Sequence, residues 1–109
     1  MRSKVIDLLN DKKVENIRIF DLSNNTDKLI DYCIIGSGTS SKHTQSVAEY
    51  LTKLFKRNGI IPIVEGNASD GWVTIEANGI EIHIFKPDIR SHYDIESFLL
   101  SLSSVVNIK

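Results

Sequence analysis

The residues best placed to do chemistry stand in the run Gly36-Ser37-Gly38-Thr39-Ser40-Ser41. A glycine-rich turn that feeds a helix N-terminus can present backbone N–H groups to a phosphate. The run does not match G-x-x-x-x-G-K-[ST], and it lacks the third glycine of the dinucleotide fingerprint. The plainer reading is a tight strand-to-helix turn closed by a hydroxyl cap. A Gly-Ser helix start also raises nucleotidyl transfer, in which the following strand carries two carboxylates at alternate positions to hold Mg²⁺. The next apolar segment, Ile60-Ile61-Pro62-Ile63-Val64, carries no acid, Glu65 follows alone, and Glu76 and Glu81 fall on different strands. Two-metal phosphoryl transfer is disfavoured by that absence.

The remaining reactive side chains are scattered. His43, His83 and His92 make no H-x-x-x-H pair, and Cys33 stands far from them in sequence. Metal ligation is therefore not expected, nor is any cofactor. Cys33 lies in the apolar run Tyr32-Cys33-Ile34-Ile35, which suits a small buried hydrophobe better than a reactive thiolate. Ser37, His83 and Asp88 could make a nucleophilic triad on paper, but the turn lacks G-x-S-x-G.

These residues need elements to position them. Val5, Ile6, Leu8 and Leu9 recur at helical spacing, so the first dozen residues read as a short amphipathic helix. Residues 14–22 alternate, with Ile17 and Ile19 opposed to Arg18 and Phe20, and read as a strand ending at Ser23-Asn24-Asn25. Residues 27–29 read as a short irregular link. Residues 32–35 suit a strand buried on both faces. Thr39, Ser40 or Ser41 then caps a helix to about Arg57, with Val47, Leu51, Leu54 and Phe55 in one stripe and Gly59 as its stop. Residues 60–64 read as a strand and 65–71 as a loop. Residues 72–76 and 80–85 flank Ala77-Asn78-Gly79, a strong hairpin signal. Pro87 ends the second of these strands. Asp88-Ile89-Arg90 begins a turn or short helix, and residues 94–102 read as a helix with Ile95, Phe98, Leu99 and Leu102 inward. Residues 103–109 are expected to be loosely held.

The fold class is thus α/β: one domain over residues 1–109, with an ordered core of about 3–102. A mixed sheet of about five strands is flanked by helices, and the strand–helix–strand segment implies a parallel crossover. On the hairpin, Trp72, Thr74, Glu76, Glu81, His83 and Phe85 share the face opposite Val73, Ile75, Ile80, Ile82 and Ile84. With the aliphatic set as core, the other face is a patch of aromatics and acids, suited to docking a protein. A covering helix would instead make Trp72 core.

Bulk properties narrow the partners. The 109 residues are 41% apolar and 25% charged, with formal net charge −1. That balance argues against a broad basic face for DNA. No long apolar run or leader pattern stands near the start, so no membrane partner and a cytoplasmic location are expected.

Taken in order, the residues carry a resemblance. Asp31-Tyr32-Cys33-Ile34-Ile35-Gly36-Ser37-Gly38-Thr39-Ser40-Ser41-Lys42-His43 resembles the D-Y-hydrophobic-G-T-S-S-R-H segment of the RsfS/Iojap family of ribosomal silencing factors. Glu65-Gly66, Asp70-Gly71-Trp72-Val73, Ile82-His83-Ile84-Phe85, Pro87, Arg90 and Tyr93-Asp94-Ile95-Glu96 follow the same pattern in register. The match spans roughly residues 3–102.

The resemblance implies a nucleotidyltransferase-like fold without the metal-binding acids, and a non-catalytic protein. It implies binding to ribosomal protein uL14 on the large subunit, steric blocking of subunit association and repression of translation. It also implies self-association as a homodimer, and a role in large-subunit assembly among organelle relatives. Carried onto this chain, the uL14-facing residues are Asp70, Trp72, Glu76, Lys86, Arg90, Tyr93 and Glu96. The chain departs from the family pattern at Gly79 and Ile80, at Glu81 in place of a usual aliphatic, and at Phe98-Leu99 where many relatives have Leu-Trp. The last departure bears on the C-terminal contact. An enzyme using the turn at residues 36–41, or an assembly factor, are the competing functions.

Overall fold

The computed structural model describes residues 1–23, 30–100 and 104–107, with residues 93, 98–100 and 104–107 described at the backbone. The elements run α1 (Arg2–Asp11), β1 (Glu15–Asp21), β2 (Tyr32–Ser37), α2 (Ser41–Arg57), β3 (Ile63–Asn67), a 3-10 turn (Ala68–Asp70), β4 (Trp72–Ala77), β5 (Ile80–Phe85), α3 (Pro87–Tyr93), α4 (Ile95–Leu100) and β6 (Ser104–Asn107). The expected link at residues 27–29 and Asn24-Asn25 of the expected turn lie outside the described residues, as do the side chains of Phe98 and Leu99 and all of Leu102.

One six-stranded mixed sheet has the order β3-β4-β5-β2-β1-β6. β2 pairs in parallel with β5, and every other neighbouring pair is antiparallel. Two expectations change here. The strand after α2 lies at residues 63–67 rather than 60–64, so Glu65 is inside it and the expected loop shrinks to the 3-10 turn. That strand sits at the far edge, and β5 takes the parallel place beside β2. Apolarity misplaced β3 because an edge strand has little to bury: Ile63 and Val64 are exposed. The chain end at Ser104–Asn107 pairs with β1 as a sixth strand, where a loose tail was expected.

Strand alternation divides the core in two. On one face Ile17, Ile19, Ile34, Val73, Ile75, Ile82 and Ile84 pack against Val5 and Leu9 of α1 and Val47, Leu51 and Phe55 of α2. Leu54, expected in the same stripe, is only partly buried against it. On the other face Phe20, Leu22, Cys33, Ile35 and Phe85 form a smaller cluster, with Ile30, Trp72, Ile89 and Ile95 packed at its margin. The expectation that residues 32–35 are buried on both faces holds, since Ile34 belongs to one cluster and Cys33 and Ile35 to the other. Among the described residues no helix is long and apolar enough to cross a membrane.

Candidate functional site

The glycine-rich turn is closed by its own neighbours. Ser40 caps α2, its hydroxyl accepting from the His43 N–H at 3.0 Å. Gly38 N–H donates to the Phe85 carbonyl at 2.8 Å. Thr39 N–H donates to His43 Nδ1 at 2.9 Å, while His43 Nε2 donates to the Lys12 carbonyl at 2.7 Å. A Cβ on Gly38 would run into the Thr44 hydroxyl, and one on Gly36 into Val14. Both glycines therefore serve close packing, and the amides of Gly38, Thr39 and His43 are already engaged. Even with Glu65 inside β3, the strand holds one acid, not an alternating pair.

The hairpin is built as its sequence indicates. Asn78 (φ 53°) and Gly79 (φ 77°) form the two-residue turn, whose left-handed backbone matches the twist of the strands. The register sets Trp72 opposite Phe85, Thr74 opposite His83 and Glu76 opposite Glu81. The aromatic-acidic patch is only half open, however. Phe85 is fully buried and His83 is 5% exposed, because α3 and α4 cover that end of the face; Trp72, Thr74, Glu76 and Glu81 remain half-buried.

Trp72 is held from two directions. Its ring lies 4.7 Å from that of Phe85, and its indole Nε1–H donates to His83 Nδ1 at 3.0 Å. An acceptor at Nδ1 places the imidazole proton on Nε2, which donates to Glu81 at 2.6 Å. His83 in turn stacks on Phe85, with centroids 5.7 Å apart and planes at 9°. The chain Trp72–His83–Glu81 thus fixes the indole at the wall of a concavity of about 390 Å³, lined by Glu65, Gly66, Asn67, Asp70, Trp72, Thr74 and Ile89.

The sequence-derived docking residues divide accordingly. Asp70 and Trp72 line that concavity, and Glu76 lies farther along β4 on the same face. Lys86 precedes α3, and its N–H binds the Gly71 carbonyl at 2.9 Å, tying the helix to the hairpin's open end. Arg90 and Glu96 are committed inward. Arg90 Nε reaches Glu96 at 2.7 Å, Arg90 Nη1 donates to Ser37 Oγ at 2.8 Å, and Arg18 Nη1 meets the other Glu96 oxygen at 2.6 Å. The Arg90 hydrogen bond, aided by Arg18 and opposed by burial, holds the Glu96 carboxyl below its ordinary value. These two pin α3 and α4 to β1 and β2. The Tyr93 side chain lies outside the described residues. Glu65, Asn67, Thr74 and Ile89 complete the concavity. Strand alternation already set Thr74 beside Trp72, whereas Glu65 and Asn67 needed the true position of β3.

The paper triad is not assembled, since Ser37 accepts from Arg90 and both His83 nitrogens are engaged by Trp72 and Glu81. Cys33 is 1% exposed, as expected for a small core residue, and burial pushes its thiol up to about 12. The sheet nonetheless brings Cys33 beside Glu81 and His83, with donor atoms within 4.8 Å of one another, a group that sequence spacing did not reveal.

Comparison with known proteins fits this architecture. The chain is 33% identical to the ribosomal silencing factor of Zymomonas mobilis over 93 residues, covering 84% of this chain and 69% of that one. It is 34% identical over 70 residues to the mouse mitochondrial assembly of ribosomal large subunit protein 1, covering 61% of this chain but only 31% of the mouse protein. Its fold superposes on a crystal structure from Chromobacterium violaceum with a TM-score of 0.82 and 28% identity, over 90% of this chain and 82% of that one. A second crystal structure, from Bacillus halodurans, gives a TM-score of 0.81 and 26% identity over 98% and 96% of the two chains. Residues 1–107 match the family described as ribosomal silencing factor during starvation, and the chain belongs to that family.

Proposed function

We propose that this chain represses translation by docking on ribosomal protein uL14 of the large subunit, where its bulk blocks association with the small subunit. The reading takes the chain as a non-catalytic protein of the cytoplasm. The observation that carries it is Trp72, a large aromatic held half-exposed by His83 at an acid-flanked concavity. A pre-oriented aromatic anchor inside a polar rim is the usual core of a protein interface. Asp70 and Glu65 favour basic groups on the partner and steer its approach. Glu76 extends the same face, Lys86 flanks it, and Tyr93 belongs to the rim by resemblance. Arg90 and Glu96 act from beneath by holding α3 in place. Inhibition needs no reaction, only an interface of ordinary size, about 1,600 Å² in total.

The engaged amides of Gly38, Thr39 and His43 count against a phosphate-handling enzyme at this turn. The likeness to the mouse assembly protein keeps a second reading in view, in which the same docking serves large-subunit assembly. Trp72→Ala is expected to weaken co-sedimentation with large subunits by more than about tenfold, equivalent to about 1.4 kcal/mol, while the circular dichroism spectrum stays that of the native chain. Undiminished co-sedimentation of a folded variant would remove Trp72 from the interface. Timing separates the two functions: silencing acts on mature subunits, assembly on precursors.

A further inference from the structure

We propose that Cys33, Glu81 and His83 form a site for a thiophilic divalent cation, with Zn²⁺ the best fit, on the hairpin's aromatic-acidic face. The inference stands independently of the docking reading. β2 and β5 pair in parallel with Cys33 directly beside Glu81, and His83 lies two residues along the same strand, so all three side chains project from one face. The Cys33 sulfur, a Glu81 oxygen and a His83 nitrogen lie within 4.8 Å of one another. Zinc bonds of about 2.0–2.3 Å in tetrahedral array set donor–donor separations of roughly 3.3–3.6 Å. Loading therefore asks the Glu81 oxygen and His83 Nε2, now 2.6 Å apart, to separate while the Cys33 sulfur closes on them. Cys33 and His83 are buried, whereas the Glu81 side chain is 35% exposed, which gives the ion a route in and leaves the fourth position to water.

Charge also fits. A thiolate and a carboxylate neutralise a divalent ion, and a neutral imidazole adds nothing, so the loaded site is uncharged in a mostly apolar setting. Loading has a defined proton balance. The Cys33 thiol releases its proton to solvent. The ion takes the place of the proton shared by His83 Nε2 and Glu81, and the imidazole then carries its proton on Nδ1. That nitrogen now accepts from the Trp72 indole N–H, and two donors cannot face each other, so the indole must turn. Occupancy is thereby transmitted to the wall of the Trp72 concavity. Cys33 and Glu81 are both invisible as ligands in sequence, since only the register of β2 against β5 joins them.

The test is titration of the full-length chain with Co²⁺ as an optical probe, followed by Zn²⁺. The expected result is a near-ultraviolet thiolate-to-cobalt band saturating at one ion per chain, bleached by Zn²⁺, with a change in Trp72 emission on loading. Cys33→Ser should abolish the band. Glu81→Val, which suits a strand and removes only one ligand, should keep the native circular dichroism spectrum and weaken Zn²⁺ binding by at least about tenfold. The absence of a band from the folded wild-type chain at saturating Co²⁺ would overturn the site. So would a Zn²⁺ affinity unchanged in Glu81→Val.

Discussion

The two faces of the sheet are built from the same strands but solve different problems. One is mostly aliphatic and sealed by α1 and α2. The other mixes Phe20, Ile35 and Phe85 with Ser37, His83 and Glu81, and α3 and α4 cover only part of it. Uniform burial on the first face is non-directional and resists any large deletion. The second relies on directed contacts, the Arg18–Glu96–Arg90 bridge and the Trp72–His83–Glu81 chain, each specific in geometry and open to solvent at one side. The proposed docking would thus fall on the face that contributes less to the aliphatic core.

The contrast can be broken by deletion. Phe55→Ala on the sealed face removes a fully buried ring and should cost about 3–5 kcal/mol in chemical denaturation. A loss near 1 kcal/mol would mean the face is not packed as described. Glu96→Gln should cost less, about 2 kcal/mol, because it removes the carboxylate that bridges two partly buried guanidiniums. Linkage gives the same bridge a pH signature. Since the folded-state carboxyl titrates below its ordinary value of 4.5, its contribution is complete above that value and fades as pH falls through the folded-state value. Unfolding free energy measured against pH should therefore drop less steeply in acid for Glu96→Gln than for the parent chain; parallel curves would remove Glu96 as the cause. The smallest effect is expected from Trp72→Phe, which keeps an aromatic ring but loses the indole donor to His83: about 1 kcal/mol in stability.

Much of this was legible in the residues. Asn78-Gly79 specified the hairpin, the Val47, Leu51 and Phe55 stripe specified α2, and alternation assigned Trp72 and His83 to one face, because each signal is local and tied to burial. What stayed hidden depends on contacts between distant segments. β3 carries little burial, so its position had to come from pairing with β4, and β6 from pairing with β1. The inward commitment of Arg90 and Glu96 arises from Arg18 and Ser37, which are remote in sequence. The meeting of Cys33 with Glu81 and His83 likewise needed the β2–β5 register.

The most direct measurement is amide hydrogen exchange of the chain with and without purified uL14. Slower exchange is expected at residues 65–76, around the Trp72 concavity, with α1 and α2 unchanged. Protection confined to α1 and α2, with residues 65–76 exchanging as freely as in the chain alone, would contradict the proposed docking.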